Sequence, residues 1–255
     1  MRARRALGLL RLERIDLAPL DLIRTAPLER LQDAEYLETM LLPLLGLSAD
    51  GPHVFPESLQ QFLGRGLRHW QYPNQFSKYL VALSRERIQT YLEIGVQHGG
   101  TFAITVEYLA RFNPLKAAYA VDVNRVPSLK EYAKNNPAIH LLREDSGSER
   151  FREFVQRRGP FDLGLIDGDH SEEACRRDFE SIRERARVIA LHDIVEPHFP
   201  GVGKVWAEIQ RRYAGQFSFT EYVEQYPDVR QRLGYDSLGI GLAVSNQPIT
   251  GSEPH

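Results

Sequence analysis

From the start of the chain to about Pro73, apolar residues recur at helical intervals. Leu28, Leu31, Tyr36, Leu37 and Met40 form one stripe, and Leu59, Phe62, Leu63 and Leu67 form a second that leads to Trp70. Pro43, Gly51-Pro52 and Pro56 interrupt this zone, so it predicts several short helices rather than a long one. From Phe76 the rhythm changes. Short apolar runs over 90–94, 118–121, 139–142, 163–166 and 188–191 predict buried strands. Helical stretches over 101–111, 129–134, 149–156 and 172–185 separate them. Such alternation predicts an α/β fold, a parallel sheet with right-handed crossovers. A helix over 202–213 and two strands over 218–223 and 238–244 follow, the strands joined by a polar segment. With no crossover helix between them, these strands are expected to pair antiparallel at the sheet edge. The chain is therefore read as a helical N-terminal cap (1–75) and a sheet-bearing domain (76–255).

Composition narrows the class. The 255 residues carry 32 Lys+Arg against 34 Asp+Glu, a formal charge of −2, which disfavours a broad nucleic-acid surface. No stretch approaches the ~18 consecutive apolar residues of a membrane span. The single cysteine, Cys175, excludes an internal disulfide and any multi-cysteine zinc site. Arg2, Arg4 and Arg5 precede a few apolar residues that Arg11 cuts short, too few for a secretory segment. An amphipathic first helix on Leu7, Leu10 and Leu12 is expected in preference to an organelle presequence, and the protein is read as cytoplasmic.

In an open α/β sheet, ligands lie beyond the carboxyl ends of the strands. The first strand runs into Glu93-Ile94-Gly95-Val96-Gln97-His98-Gly99-Gly100-Thr101. Its glycines allow close backbone approach, but Gln97 stands where a dinucleotide fingerprint needs a second glycine. Glu93 disfavours a phosphate and suits a ligand that is uncharged or cationic there. The second strand ends at Asp122, placed to accept hydrogen bonds from the hydroxyls of a ribose. Asp145-Ser146 after the third strand fits an adenine contact or an ordinary turn. Asp167-Gly168-Asp169-His170-Ser171-Glu172 follows the fourth strand and His192-Asp193 ends the fifth. Oxygen-rich clusters of this kind suit Mg²⁺ or Mn²⁺ more than zinc. Asp169 and Ser171 also suit a helix cap, which leaves Asp167, His170 and Asp193 to be explained.

At these residues the chain resembles the class I S-adenosylmethionine (SAM)-dependent methyltransferases, which implies their Rossmann-like α/β fold, a seven-stranded mostly parallel sheet with an antiparallel last strand. Glu93-x-Gly95-x-x-x-Gly99 is similar to their first motif, and Asp122 to their ribose-binding acid. The run Asp167-Gly168-Asp169-His170-Ser171 and Trp70-Gln71-x-Pro73 resemble a narrower group, the macrolide-sugar O-methyltransferases and the cephalosporin hydroxylase family. The resemblance implies a SAM pocket built from Glu93, Gly95, Gln97, Gly99, Gly100, Thr101, Asp122, Asp145, Ser146 and Asp167. It implies Mg²⁺ on Asp167, His192 and Asp193, although His192 departs from the acidic residue usual at its position. His170, three residues after the metal aspartate, corresponds to the catalytic base. Imidazole near pKa 6.5 suits that role.

The expected activity is Mg²⁺-assisted O-methylation of a small-molecule hydroxyl, such as a sugar or natural product, with no nucleic-acid or membrane partner. The oligomeric state stays open, a homo-oligomer included. Alternatives are a non-catalytic SAM-binding or scaffold protein, and a metal-dependent phosphoester hydrolase. The hydrolase would leave the Glu93 loop and Asp122 without a purpose.

Overall fold

The computed structural model describes residues 12–247; the expected helix on Leu7, Leu10 and Leu12 lies, but for Leu12, outside the described residues. Seven strands form one sheet: β1 (Thr90–Ile94), β2 (Ala117–Asp122), β3 (Ile139–Arg143), β4 (Phe161–Ile166), β5 (Ala186–His192), β6 (Phe217–Tyr222) and β7 (Ile240–Ser245). Their order is β3-β2-β1-β4-β5-β7-β6. Strands β1 to β5 are parallel, and β7 runs antiparallel to both β5 and β6. The order reverses between β1 and β4, the switch point at which such sheets open a crevice.

Among the described residues, five α-helices precede β1: α1 (Leu20–Thr25), α2 (Leu28–Leu31), α3 (Ala34–Tyr36), α4 (Leu42–Leu45) and α5 (Pro73–Ser84). Six follow in alternation with the strands: α6 (Gly100–Ala110), α7 (Pro127–Lys134), α8 (Glu149–Arg158), α9 (Glu172–Ile182), α10 (Pro200–Arg212) and α11 (Pro227–Leu233). Side chains of the central strands alternate between two cores, as the period of two requires. Tyr91, Leu163, Leu165, Val188 and Ala190 face one, shared with α5, α6, α7 and the N-terminal helices. Leu92, Ile94, Ile166, Ile189 and Leu191 face the other, with Phe151, Phe179, Val202 and Trp206 of α8, α9 and α10. A smaller cluster, including Leu47, Phe55, Tyr72, Val229 and Leu238, joins the N-terminal zone to the connection between β6 and β7.

Local chemistry sets the helix starts. Ser148 and Ser171 accept hydrogen bonds from the amides of Phe151 and Ala174, capping α8 and α9, and Asp169 accepts one from the Ser171 amide. The N-terminal stripes fold differently from their spacing. Leu31 and Leu37 are buried while Leu28 and Met40 are exposed, because Asp33 caps a new helix and a wide π-type turn over Leu37–Leu41 rotates the face. The second stripe forms a 3₁₀ turn, Glu57–Phe62, in place of an α-helix. The polar segment between the last strands contains α11, a short helix the sequence pattern did not reveal. Among the described residues no helix is long and apolar enough to cross a membrane.

Candidate active site

A cavity of about 1030 Å³ opens at the switch point. One half is built from the ends of β1, β2 and β3. Gly95 has φ +84°, and a Cβ there would lie 2.2 Å from the Asp167 carbonyl oxygen, so β1 and β4 approach too closely for any side chain. Asp122 braces the loop that follows: Oδ2 accepts from the amides of Val96 at 3.1 Å and Gln97 at 3.0 Å, and Oδ1 from the Asn124 amide at 2.7 Å. Glu93 is buried and accepts a hydrogen bond from the Tyr91 hydroxyl. Burial, reinforced by the charges of Asp167 and Asp122, raises its pKa well above the carboxylate range despite that hydrogen bond.

Of the expected cofactor residues, Glu93, Gly95, Gln97, Gly100, Thr101, Asp122, Asp145, Ser146 and Asp167 line this one cavity. Gly99 does not. It sits at φ +89° against Leu129, where it makes the turn into α6. Asp145 uses Oδ1 to accept from the Gly147 amide at 2.7 Å, so its turn role is met by the structure itself.

At the ends of β4 and β5 two carboxylates and two imidazoles meet. His170 Nε2 lies 3.0 Å from Asp193 Oδ2 and 3.4 Å from Asp167 Oδ1. His192 Nδ1 lies 3.2 Å from Asp167 Oδ1 and 3.4 Å from Asp193 Oδ1. Ligand atoms of Asp167, His170 and Asp193 fall within 4.8 Å of one another, a spacing that would hold a metal ion. Burial opposes charge on all four residues, but their mutual attraction prevails. His170 is pushed up to about 9 and His192 well above 6.5, while Asp167 and Asp193 are held below the carboxylate range. The structure thus draws His170, expected as a free base, into the cluster.

Apart from Trp70, the other half of the cavity is formed by residues the sequence pattern did not single out. Asp50, His53 and Arg68 join Trp70 from the N-terminal zone; Glu196, His198, Phe199 and Tyr235 come from the far side. Phe199 stacks on His170 with ring centroids 4.4 Å apart. Glu196 is buried and accepts hydrogen bonds from Ser237 Oγ at 2.5 Å, the Leu238 amide at 3.3 Å and the His198 amide at 3.2 Å. It also accepts from His198 Nδ1 at 2.6 Å. Glu196 and His198 follow strand five by only a few residues, and inspection beyond Asp193 would have exposed the pair.

Comparison with known proteins agrees with this architecture. Residues 92–194 match the family model described as a methyltransferase domain. Among solved structures, the chain is similar to the O-methyltransferase TomG from Streptomyces achromogenes, involved in tomaymycin synthesis and solved with SAM. Identity is 15%, 94% of this chain and 100% of that one are covered, and the TM-score is 0.51. It is similar to the O-methyltransferase from Bacillus cereus in complex with SAH, at 16% identity, 89% and 90% coverage and TM-score 0.50. MycE, the methyltransferase of mycinamycin biosynthesis solved with Mg, SAH and mycinamycin VI, aligns at 18% identity with a TM-score of 0.47. That alignment covers 73% of this chain and 52% of MycE, so the chain spans about half of that protein's length. No curated protein matches. At these identities the likeness is one of fold.

Proposed function

We propose that the protein, whose residues 92–194 match the family model of a methyltransferase domain, transfers the methyl group of SAM to a hydroxyl of a small molecule. The observation that carries this reading is the single cavity in which the Glu93–Thr101 loop and Asp122 meet the Asp167–His170–Asp193 cluster. A cofactor laid across the switch point would present its methyl group towards that cluster. Asp122 lies beside the loop, where its carboxylate would accept hydrogen bonds from the hydroxyls of a ribose, and Glu93 and Gln97 offer nothing to a pyrophosphate.

The centre suits a divalent cation. Asp193 Oδ1 is buried without a hydrogen-bond partner, and the carboxylates of Asp167 and Asp193 converge with imidazole nitrogens. Asp167 and Asp193 would hold the ion, which when bound lowers the pKa of a hydroxyl and orients it. The proton then needs an acceptor. His170 Nε2 is engaged by both carboxylates, so in this reading His170 serves the cluster and the base moves to His198. The Nδ1–H of His198 donates to Glu196, which leaves the Nε2 lone pair available on a ring that lines the same cavity. Phe199, Trp70 and Tyr235 supply apolar ring faces against which the acceptor packs.

The near-neutral charge supports a small-molecule acceptor over a nucleic acid, in a cytoplasmic setting. Calorimetry with SAM and with NAD tests the cofactor, and transfer of labelled methyl to a panel of sugar and phenol hydroxyls tests the reaction. SAM binding with NAD excluded is the expected result. Absence of SAM binding would overturn the reading.

A further inference from the structure

The sequence pattern pointed to a magnesium centre because oxygen donors were in the majority, with one histidine at the fifth strand's end. The folded centre has a different donor set. His192, the last residue of β5, is 3% exposed and is fixed by its pairing with Ile240 of β7. Its Nδ1 is within 3.4 Å of both carboxylates, and His170 Nε2 reaches the same two groups from the other side. Asp193 is 5% exposed, its backbone has φ +63°, and its Oδ1 has no hydrogen-bond partner. A buried carboxylate with one oxygen, Oδ2, at His170 Nε2 and the other, Oδ1, unbonded and 3.4 Å from His192 Nδ1, is a preformed place for a cation with affinity for nitrogen.

We infer that Asp167, Asp193, His170 and His192 form a mixed nitrogen–oxygen centre that selects a first-row transition-metal dication over Mg²⁺. Mg²⁺ is a hard ion that takes oxygen donors, keeps several waters and gains little from imidazole. Zn²⁺, Co²⁺ and their neighbours bind imidazole well, and their affinity for such sites rises along the transition series. The inference deepens the proposed reading by naming the cation, and it concerns His192, where an acidic residue would have completed an oxygen set.

The test uses the full chain, stripped with chelator, without cofactor or acceptor. Zn²⁺, Co²⁺ and Mg²⁺ are titrated by calorimetry, and the Co²⁺ complex is read by its visible absorption, which reports nitrogen ligation. One tight site is expected for Zn²⁺ and Co²⁺, at least about 100-fold tighter than Mg²⁺. His192→Asp should close that gap by about 10-fold or more in favour of Mg²⁺, on the scale of ligand-shell changes. Asp193→Asn should abolish the tight site, which separates it from adventitious binding to the chain's other histidines. His170→Gln, at a partly exposed position, provides a second nitrogen deletion should His192→Asp fail to fold. Mg²⁺ binding as tight as Co²⁺, no tight site for any ion, or selectivity unchanged by loss of either histidine would overturn the inference. An Mg²⁺-preferring centre would leave the methyl-transfer reading standing. Failure to bind SAM would sink that reading and leave the metal selectivity intact.

Discussion

Asp122 performs a structural task that can be measured apart from any ligand. Replacement by alanine removes the acceptors of three amides: Val96, Gln97 and Asn124. Gln97 is exposed and Asn124 partly so, and water can replace the carboxylate at both. Val96 is 4% exposed, and its amide is left without an acceptor. One buried orphan donor costs about 1–3 kcal/mol, so Asp122→Ala should lower unfolding stability by that amount. If the carboxylate also holds a ribose, SAM affinity should fall by a further 1.5–3 kcal/mol or so, about 10- to 100-fold. Asp122→Asn separates the effects. Its carbonyl oxygen still serves Val96 and Gln97, but its NH₂ then faces the Asn124 amide, donor against donor, so stability should fall between wild type and alanine. Urea denaturation and SAM calorimetry on the same three preparations supply both numbers. Unchanged stability in Asp122→Ala would refute the brace, and lost stability with unchanged SAM affinity would refute the ribose contact.

With an acceptor in hand, His198→Gln should reduce turnover by about 10²-fold while SAM affinity stays near wild type. Wild-type turnover would return the base to His170. His69, buried and donating from Nε2 to the Leu42 carbonyl at 3.1 Å, has its pKa pulled down to about 4 by burial. The unfolded chain therefore takes up a proton near pH 6.5 that the folded chain refuses. Stability should fall as pH drops from about 6.5 towards 4, by roughly 3 kcal/mol in all. Urea midpoints of wild type and His69→Gln across that window check this, and parallel curves would exclude His69 as the cause.

The central parallel strands were legible because they are buried on both faces and read as apolar runs, the exposed edge strand β3 because its run is apolar as well, and β1 was delimited to the residue. Glu93, Asp122, Asp167 and Asp193 were legible for a related reason: residues at strand ends are where such a sheet exposes its chemistry. The N-terminal zone was harder. Its π-type turn at Leu37–Leu41 depends on contacts made elsewhere, so spacing alone placed Leu28 and Met40 inside when both are exposed. The grouping of His170 with the carboxylates was hidden because it depends on the approach of β4 and β5, whereas a sequence shows only the three-residue spacing from Asp167. Glu196 and His198 stood in view just past Asp193, but their place in the cavity was hidden because Glu196, which orients His198, is itself secured by Ser237 and Leu238 from a distant segment.

A Cβ on Gly100, at the start of α6, would lie 2.0 Å from the carbonyl oxygen of Leu67. The same stretch of N-terminal chain is tied down by amides of Leu67 to Leu45 at 2.7 Å and of Ser48 to His69 at 3.0 Å. The segment that contributes Arg68 and Trp70 to the cavity lining is therefore moulded against the start of α6, where Gly100 and Thr101 line the same cavity. The two are not interchangeable modules. A chimaera that borrowed residues 12–72 from another protein would have to deliver a main-chain oxygen to the same point, or open a void beside α6. In the proposed reading, acceptor choice and cofactor geometry would be inherited as one block, with variation in the first confined to side chains that leave this backbone contact in place.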